Sequence, residues 1–176
     1  MYVRLDPNDD LLIEVEQKIS RDGLLIKLKR DNVIGRMEAA NNLIDHIQDS
    51  QVLKLLKRSA YYDKSWLVRQ ASLKTISGEL NYKELTVAYD REKHSQPRKT
   101  IITQMSTNYP QESAEFIRGK IINDNSYVVQ AEMVKQLGVI GKSSDIILIK
   151  KLSKEWSPRH IIRKASNRAI LLLEGE

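Results

Sequence analysis

From Arg21 onward the apolar positions recur at helical intervals, and one short pattern returns five times. It reads Ile34-Gly35-Arg36-Met37-Glu38-Ala39, Val68-Arg69-Gln70-Ala71-Ser72, Pro97-Arg98-Lys99-Thr100-Ile101, Val129-Gln130-Ala131-Glu132-Met133 and Ile162-Arg163-Lys164-Ala165-Ser166. The polar key positions Arg36, Arg69, Arg98, Gln130 and Arg163 are 33, 29, 32 and 33 residues apart. Three residues after each key stand Ala39, Ser72, Ile101, Met133 and Ser166; seven after stand Leu43, Ile76, Met105, Leu137 and Ile170. Positions three and seven apart share one helix face, so each segment predicts a helix with a buried stripe. Residues 51–57, 83–89, 110–122 and 144–152 predict a preceding helix for four of the five. Pro110 suits a first helical turn, and Ser144 or Asp145 is the expected cap of the last one. Residues 24–29 make barely more than a turn, so the first pair is expected to be weak, as terminal repeats often are.

A pattern recurring at roughly 30-residue spacing marks stacked two-helix units. None of them can bury its apolar face alone, so neighbours must stack. The expected fold is all-α: an α-α superhelix, or HEAT-like solenoid, over residues 21–176. The first twenty residues differ. Tyr2-Val3-Arg4-Leu5 alternates, Asp6-Pro7-Asn8-Asp9 is a turn cluster, and Leu11-Leu12-Ile13-Glu14-Val15-Glu16 reads as a second short strand. Residues 1–20 are therefore expected to form a short β-hairpin, either N-terminal or the remnant of a preceding β-sandwich domain. A lone hairpin is marginal in water.

The key positions resemble those of HEAT repeats, where a turn Asp and a second-helix Arg commonly form a ladder along the stack. That resemblance implies a structural ladder of Asp31, Arg36, Asp63, Arg69, Arg98, Asp124, Gln130 and Arg163, with Asp31–Arg36 and Asp63–Arg69 as pairs. A hydrogen bond to a charged group contributes about 1.5–3 kcal/mol.

Composition supports helix: 30% of residues are charged, with only seven Gly and four Pro. The absence of Cys excludes disulfides, thiolate chemistry, zinc fingers and iron–sulfur clusters. The apolar runs Ile146-Ile147-Leu148-Ile149 and Ala169-Ile170-Leu171-Leu172-Leu173 are too short to span a bilayer. The first residues lack the pattern of a signal peptide. No membrane association is expected, and the expected location is cytoplasmic. The net charge of +6 permits contact with anions without demanding it.

Asp6-Pro7, Leu11-Leu12-Ile13-Glu14-Val15, Leu24-Leu25-Ile26-Lys27-Leu28 and Asp31-Asn32-Val33-Ile34-Gly35-Arg36-Met37-Glu38-Ala39-Ala40 together resemble a junction in aminopeptidase N-like zinc peptidases. There, the last strands of a β-sandwich run into a C-terminal helical domain. Trp66-Leu67-Val68-Arg69-Gln70-Ala71 resembles the next helical unit. The specific part of the resemblance covers about the first 75 residues. It implies a non-catalytic helical region that packs on a catalytic domain and restricts substrate access. The partner would be the rest of the parent polypeptide or another protein. The family's zinc sits on a His-Glu-x-x-His helix. His46, His94 and His160 match no part of that motif, since none is followed by Glu or by a second His four residues on. No catalytic or metal residue carries over, and zinc is expected only in a missing catalytic domain.

Other readings rest on other residues. His46 has Asp45 and Asp49 nearby, yet a surface His at a helix end accounts for it better than a metal ligand. Trp66, Trp156, Tyr61, Tyr62 and Tyr127 are expected to pack between helices, with a partner anchor as the sharper reading of the tryptophans. Arg159, Arg163 and Lys164 are candidate anion-facing residues beside His160, and Arg91, Lys93, Arg98 and Lys99 form a smaller basic cluster. They raise the alternative of a nucleic-acid module; a further alternative, a protein-interaction scaffold, is the commonest use of HEAT arrays. Against nucleic acid, acidic residues are interspersed and no aromatic–basic stacking pattern stands out.

Overall fold

A computed structural model describes residues 18–175 of the chain. The fold is all-α, and the described residues contain no strand. The helices are α1 (Arg21–Arg30), α2 (Val33–Asn42), α3 (Ser50–Tyr62), α4 (Trp66–Thr75), α5 (Tyr82–Arg91), α6 (Ser95–Asn108), α7 (Pro110–Lys120), α8 (Tyr127–Ile140), α9 (Asp145–Leu152) and α10 (Ile161–Glu174). Short 3-10 turns follow α2 (Leu43–His46) and precede α10 (Pro158–His160). The hairpin expected before residue 20 lies outside the described residues. The packing divides the chain after Ile76 into two compact units.

The five repeated segments form α2, α4, α6, α8 and α10. Ala39, Ser72, Ile101, Met133 and Ser166 are all fully buried, as are Leu43, Ile76, Met105 and Leu137; only Ile170 is half-buried. The first pair is not the weak one expected. α1 runs ten residues because Ser20 caps it: the Gly23 N–H donates to the Ser20 hydroxyl at 3.3 Å. Asn32 caps α2 and Asp49 caps α3 in the same way. Asn81 and Glu84 form a reciprocal capping box on α5.

In the first unit α1 packs on α2, while α2 and α3 both pack on α4. Lys27 of α1 reaches Glu38 of α2 at 2.7 Å. The Thr75 hydroxyl donates to the Ala40 carbonyl at 2.9 Å, fixing α4 against α2. Ala39 has no exposed surface. Ala39→Leu inserts three heavy atoms there and is expected to lower stability by about 1–3 kcal/mol through overpacking, measured as a lower urea midpoint. An unchanged midpoint would mean that the site has slack.

In the second unit α8 packs on α6, α7 and α10, and α9 packs on α10. Tyrosines tie the first helices together. The Tyr82 hydroxyl donates to the Glu112 carbonyl and the Tyr109 hydroxyl to the Leu80 carbonyl, and the two rings meet edge-on at 5.9 Å. Gly138 of α8 lies against Ala169 of α10 so closely that a Cβ there would stand 2.7 Å from the Ala169 Cα and Cβ.

Candidate functional site

The turns after α3 and α7 each bring a carboxylate, Asp63 and Asp124, to a second helix, but not in the expected pairing. Asp63 closes α3 and was expected to pair with Arg69, six residues on. Its carboxylate instead receives the Arg36 guanidinium from the preceding pair, Nε and Nη2 each at 2.9 Å. Arg69 Nη1 donates to the Asp63 main-chain carbonyl at 2.8 Å, and Arg36 Nη1 to that of Asp31 at 2.9 Å. Each arginine thus holds its own turn by the backbone, while Arg36 also grips the next turn by its carboxylate. The reason is reach: the local Arg arrives beside its turn's carbonyls, leaving the carboxylate to face the neighbouring helix.

The same arrangement recurs in the second unit. Arg98 Nη2 donates to Asp124 at 3.0 Å and to the Asn125 side chain at 3.1 Å. The Asp124 side chain is only 2% exposed and also accepts the Ser126 N–H and the Tyr89 hydroxyl. Burial first, then the Asp124 carboxylate, push the Tyr89 phenol well above its ordinary range, so it acts as a permanent donor. Gln130 makes no ion pair; its amide donates to the Ile121 carbonyl at 3.1 Å. Arg163 was expected to continue the ladder and does not. It is exposed and joins no rung among the described residues: rungs run from a second helix to a later turn, and no turn carboxylate follows α10 there; its own turn carries Ser157 where the others carry Asp63 and Asp124. The Ser157 hydroxyl accepts the Ile162 N–H instead.

A third rung was missed in the sequence. Arg118, on α7, makes a two-pronged contact with Asp145 at 2.6 and 2.8 Å. Its spacing of 27 residues equals that of Arg36 and Asp63, and that repetition was the available signal. Of the two expected caps, Ser144 takes the N-cap position of α9 without a side-chain cap hydrogen bond and Asp145 is its first helical residue; the Asp145 carboxylate accepts the Lys142 N–H at 2.8 Å. The Arg118 hydrogen bond holds the Asp145 carboxyl below its ordinary value, against the opposing effect of burial and with help from Lys142. A carboxylate with a depressed folded pKa contributes stability above its unfolded pKa and loses it as pH falls through the folded value. Asp145→Asn is therefore expected to be less stable at about pH 7, with the gap to wild type narrowing below about pH 4. Urea midpoints across a pH series measure this; a gap independent of pH would refute it.

The candidate anion-facing residues Arg159, Arg163 and Lys164 are all exposed. Arg159 and His160 both adopt left-handed backbone, at φ 52° and 54°, an uncommon conformation for non-glycine residues. Trp156, expected to be packed, is 69% exposed and meets Tyr127 edge-on at 5.7 Å. The smaller basic cluster divides: Arg98 serves Asp124, and Lys99 turns toward Glu132. Near His46, Asp49 is committed to the α3 N-terminus and to Arg21 at 2.7 Å. Among the described residues no group of three or more His, Cys, Asp or Glu side chains is arranged to hold a metal ion.

A cleft among the described residues was also missed. A cleft of about 630 Å³ opens between α8 and α10, with Lys99 of α6 at its edge. Val128, Ala131, Val139, Ile161, Ala165 and Leu172 give it apolar walls. Lys135 and Arg168 stand across from one another on the two helices. At its base lies Glu132, only 5% exposed. Its carboxylate accepts the Gln136 amide at 2.7 Å and the Thr103 hydroxyl at 3.2 Å, with Lys135 at 3.5 Å and Lys99 at 3.6 Å. Burial pushes this carboxyl up, but the Gln136 hydrogen bond and the two ammonium groups outweigh it, leaving the group below its ordinary value and ionised.

No protein-family model matches the chain, and no curated protein matches it significantly.

Proposed function

We propose that the chain is a non-catalytic helical module built of HEAT-like pairs that works by packing against other polypeptide. More specifically, it is the C-terminal helical region of an aminopeptidase N-like zinc peptidase or a peptidase-like relative. The observation that carries the module reading is the recurring rung: Arg36–Asp63 and Arg98–Asp124 each bind a second helix to the turn of the next pair, and Arg118–Asp145 binds α7 to the first residue of α9. Such rungs spend charged residues on holding helices in register rather than on chemistry. The peptidase reading is carried by the sequence resemblance at residues 6–40 and 66–71, and the capped α1–α2 pair following residue 20 fits the start of such a helical region. In this reading the module walls off a substrate cavity formed elsewhere, and any zinc belongs there.

The test is to tag the protein at its own locus and determine by mass spectrometry what it is continuous with or bound to in stoichiometric amount. A polypeptide carrying His-Glu-x-x-His, together with aminoacyl-anilide hydrolysis by the isolated complex but not by this chain alone, is the expected result. A stoichiometric partner without that motif would remove the peptidase reading and leave the scaffold. Duplex DNA is expected to bind weakly, in the non-specific range of about 10⁻⁴–10⁻⁶ M, and to be released by added salt.

A further inference from the structure

We propose that the cleft between α8 and α10 is a docking site for an acidic, aliphatic peptide segment of a partner protein. This goes beyond the peptidase reading and holds whether or not the chain belongs to a peptidase. On α8, Val128, Ala131, Glu132, Lys135 and Val139 lie on one face, and on α10 Ile161, Ala165, Arg168 and Leu172 do so. Twelve residues of helix on each side, eleven rises, make the cleft about 16 Å long, enough for a few residues of extended chain or about three turns of helix. Val139 is 67% and Leu172 48% exposed, so apolar surface waits uncovered along both walls.

Charge complementarity selects the occupant. Lys99, Lys135 and Arg168 edge the cleft, and among the described residues Glu132 is the only carboxylate in its lining. Glu132 is itself buried and hydrogen-bonded to Gln136 and Thr103. The side chains of Lys99 and Lys135 remain 43% and 58% exposed and sit 3.5–3.6 Å from that carboxylate, which orients both ammonium groups at the cleft without covering them. The lining therefore presents apolar walls with a net positive rim, the complement of a segment in which Leu or Ile alternates with Glu or Asp. A nucleic-acid strand fits less well. The walls are aliphatic, the buried Glu132 repels phosphate, and the exposed aromatic pair Tyr127–Trp156 is not in the lining.

The experiment measures fluorescence anisotropy of the whole chain with a labelled peptide Leu-Glu-Glu-Ile-Leu-Glu-Asp-Leu. Its partner probes are a counterpart with Lys in place of each acid and a labelled single strand of DNA. The acidic peptide is expected to bind saturably and the basic one at least about tenfold more weakly. Lys135→Glu/Arg168→Glu, at exposed positions and checked by circular dichroism, is expected to invert that preference, whereas Arg159→Glu/Arg163→Glu leaves it unchanged. The milder Lys135→Gln/Arg168→Gln variant should lose the preference without inverting it, and serves if the double reversal fails to fold. Absence of saturable binding, equal binding of both peptides, or DNA binding tighter than the acidic peptide and lost with Lys135 and Arg168 would each overturn the proposal.

Discussion

Asp63→Ala is expected to lower stability by about 2–4 kcal/mol, the largest effect of any single polar substitution in the first unit. The Asp63 and Arg36 side chains are only 11% and 18% exposed. Removing the carboxylate leaves the Arg36 guanidinium nearly out of water with two donors unmatched, and breaking a buried pair typically costs about 3–5 kcal/mol. The residual exposure and the surviving bond from Arg36 to the Asp31 carbonyl reduce that figure. The Ser65 N–H also loses its acceptor at the start of α4. Replacing both partners by apolar residues, as in Arg36→Met/Asp63→Leu, is expected to cost less than the sum of the single changes, because no charge is then stranded. Urea unfolding of the two singles and the double measures the coupling. Additive losses would mean that the rung is ornamental and that each residue acts through other contacts.

Gly138→Val is expected to destabilise by about 3 kcal/mol, the upper end of overpacking. In an isolated helix Gly is about 1 kcal/mol worse than Ala, so any replacement in α8 begins with a gain. The gain is overwhelmed here because the atoms in the way are the Ala169 Cα and Cβ, 2.7 Å from the new Cβ. These belong to the backbone of α10 and its first side-chain atom, with no rotamer through which to retreat. The helices must separate, uncovering part of the surface that α8 and α10 bury against each other. Gly138→Ala is expected to fall between wild type and Gly138→Val, and Ala169→Gly to restore part of that loss by removing one of the two clashing atoms. Denaturation midpoints for the set decide it. A Gly138→Ala protein more stable than wild type would show that α10 yields at no cost.

The repeated segments were legible in the sequence because burial on a helix depends on spacing. A residue three or seven positions after each key shares the key's neighbourhood whatever the helix packs against, and Ala39, Ser72, Ile101 and Met133 are buried as that spacing demands. Helix identity, the caps at Asn32 and Asn81, and the absence of thiol chemistry were likewise determined locally, by residue type and order. The rung partners were not. Whether Arg69 or Arg36 takes the Asp63 carboxylate depends on how far one helix lies from the next turn, a distance that no local rule supplies. That the ladder does not reach Arg163 followed from the same forward pairing: a second-helix Arg takes its carboxylate from a later turn, and none follows α10 among the described residues. The close approach at Gly138 and the cleft around Glu132 belong wholly to tertiary structure. A glutamate in α8 looks solvent-facing in sequence; Lys135 and Gln136 are one turn away on the same helix, but only the packing of α6 brings Thr103 and Lys99 to the carboxylate.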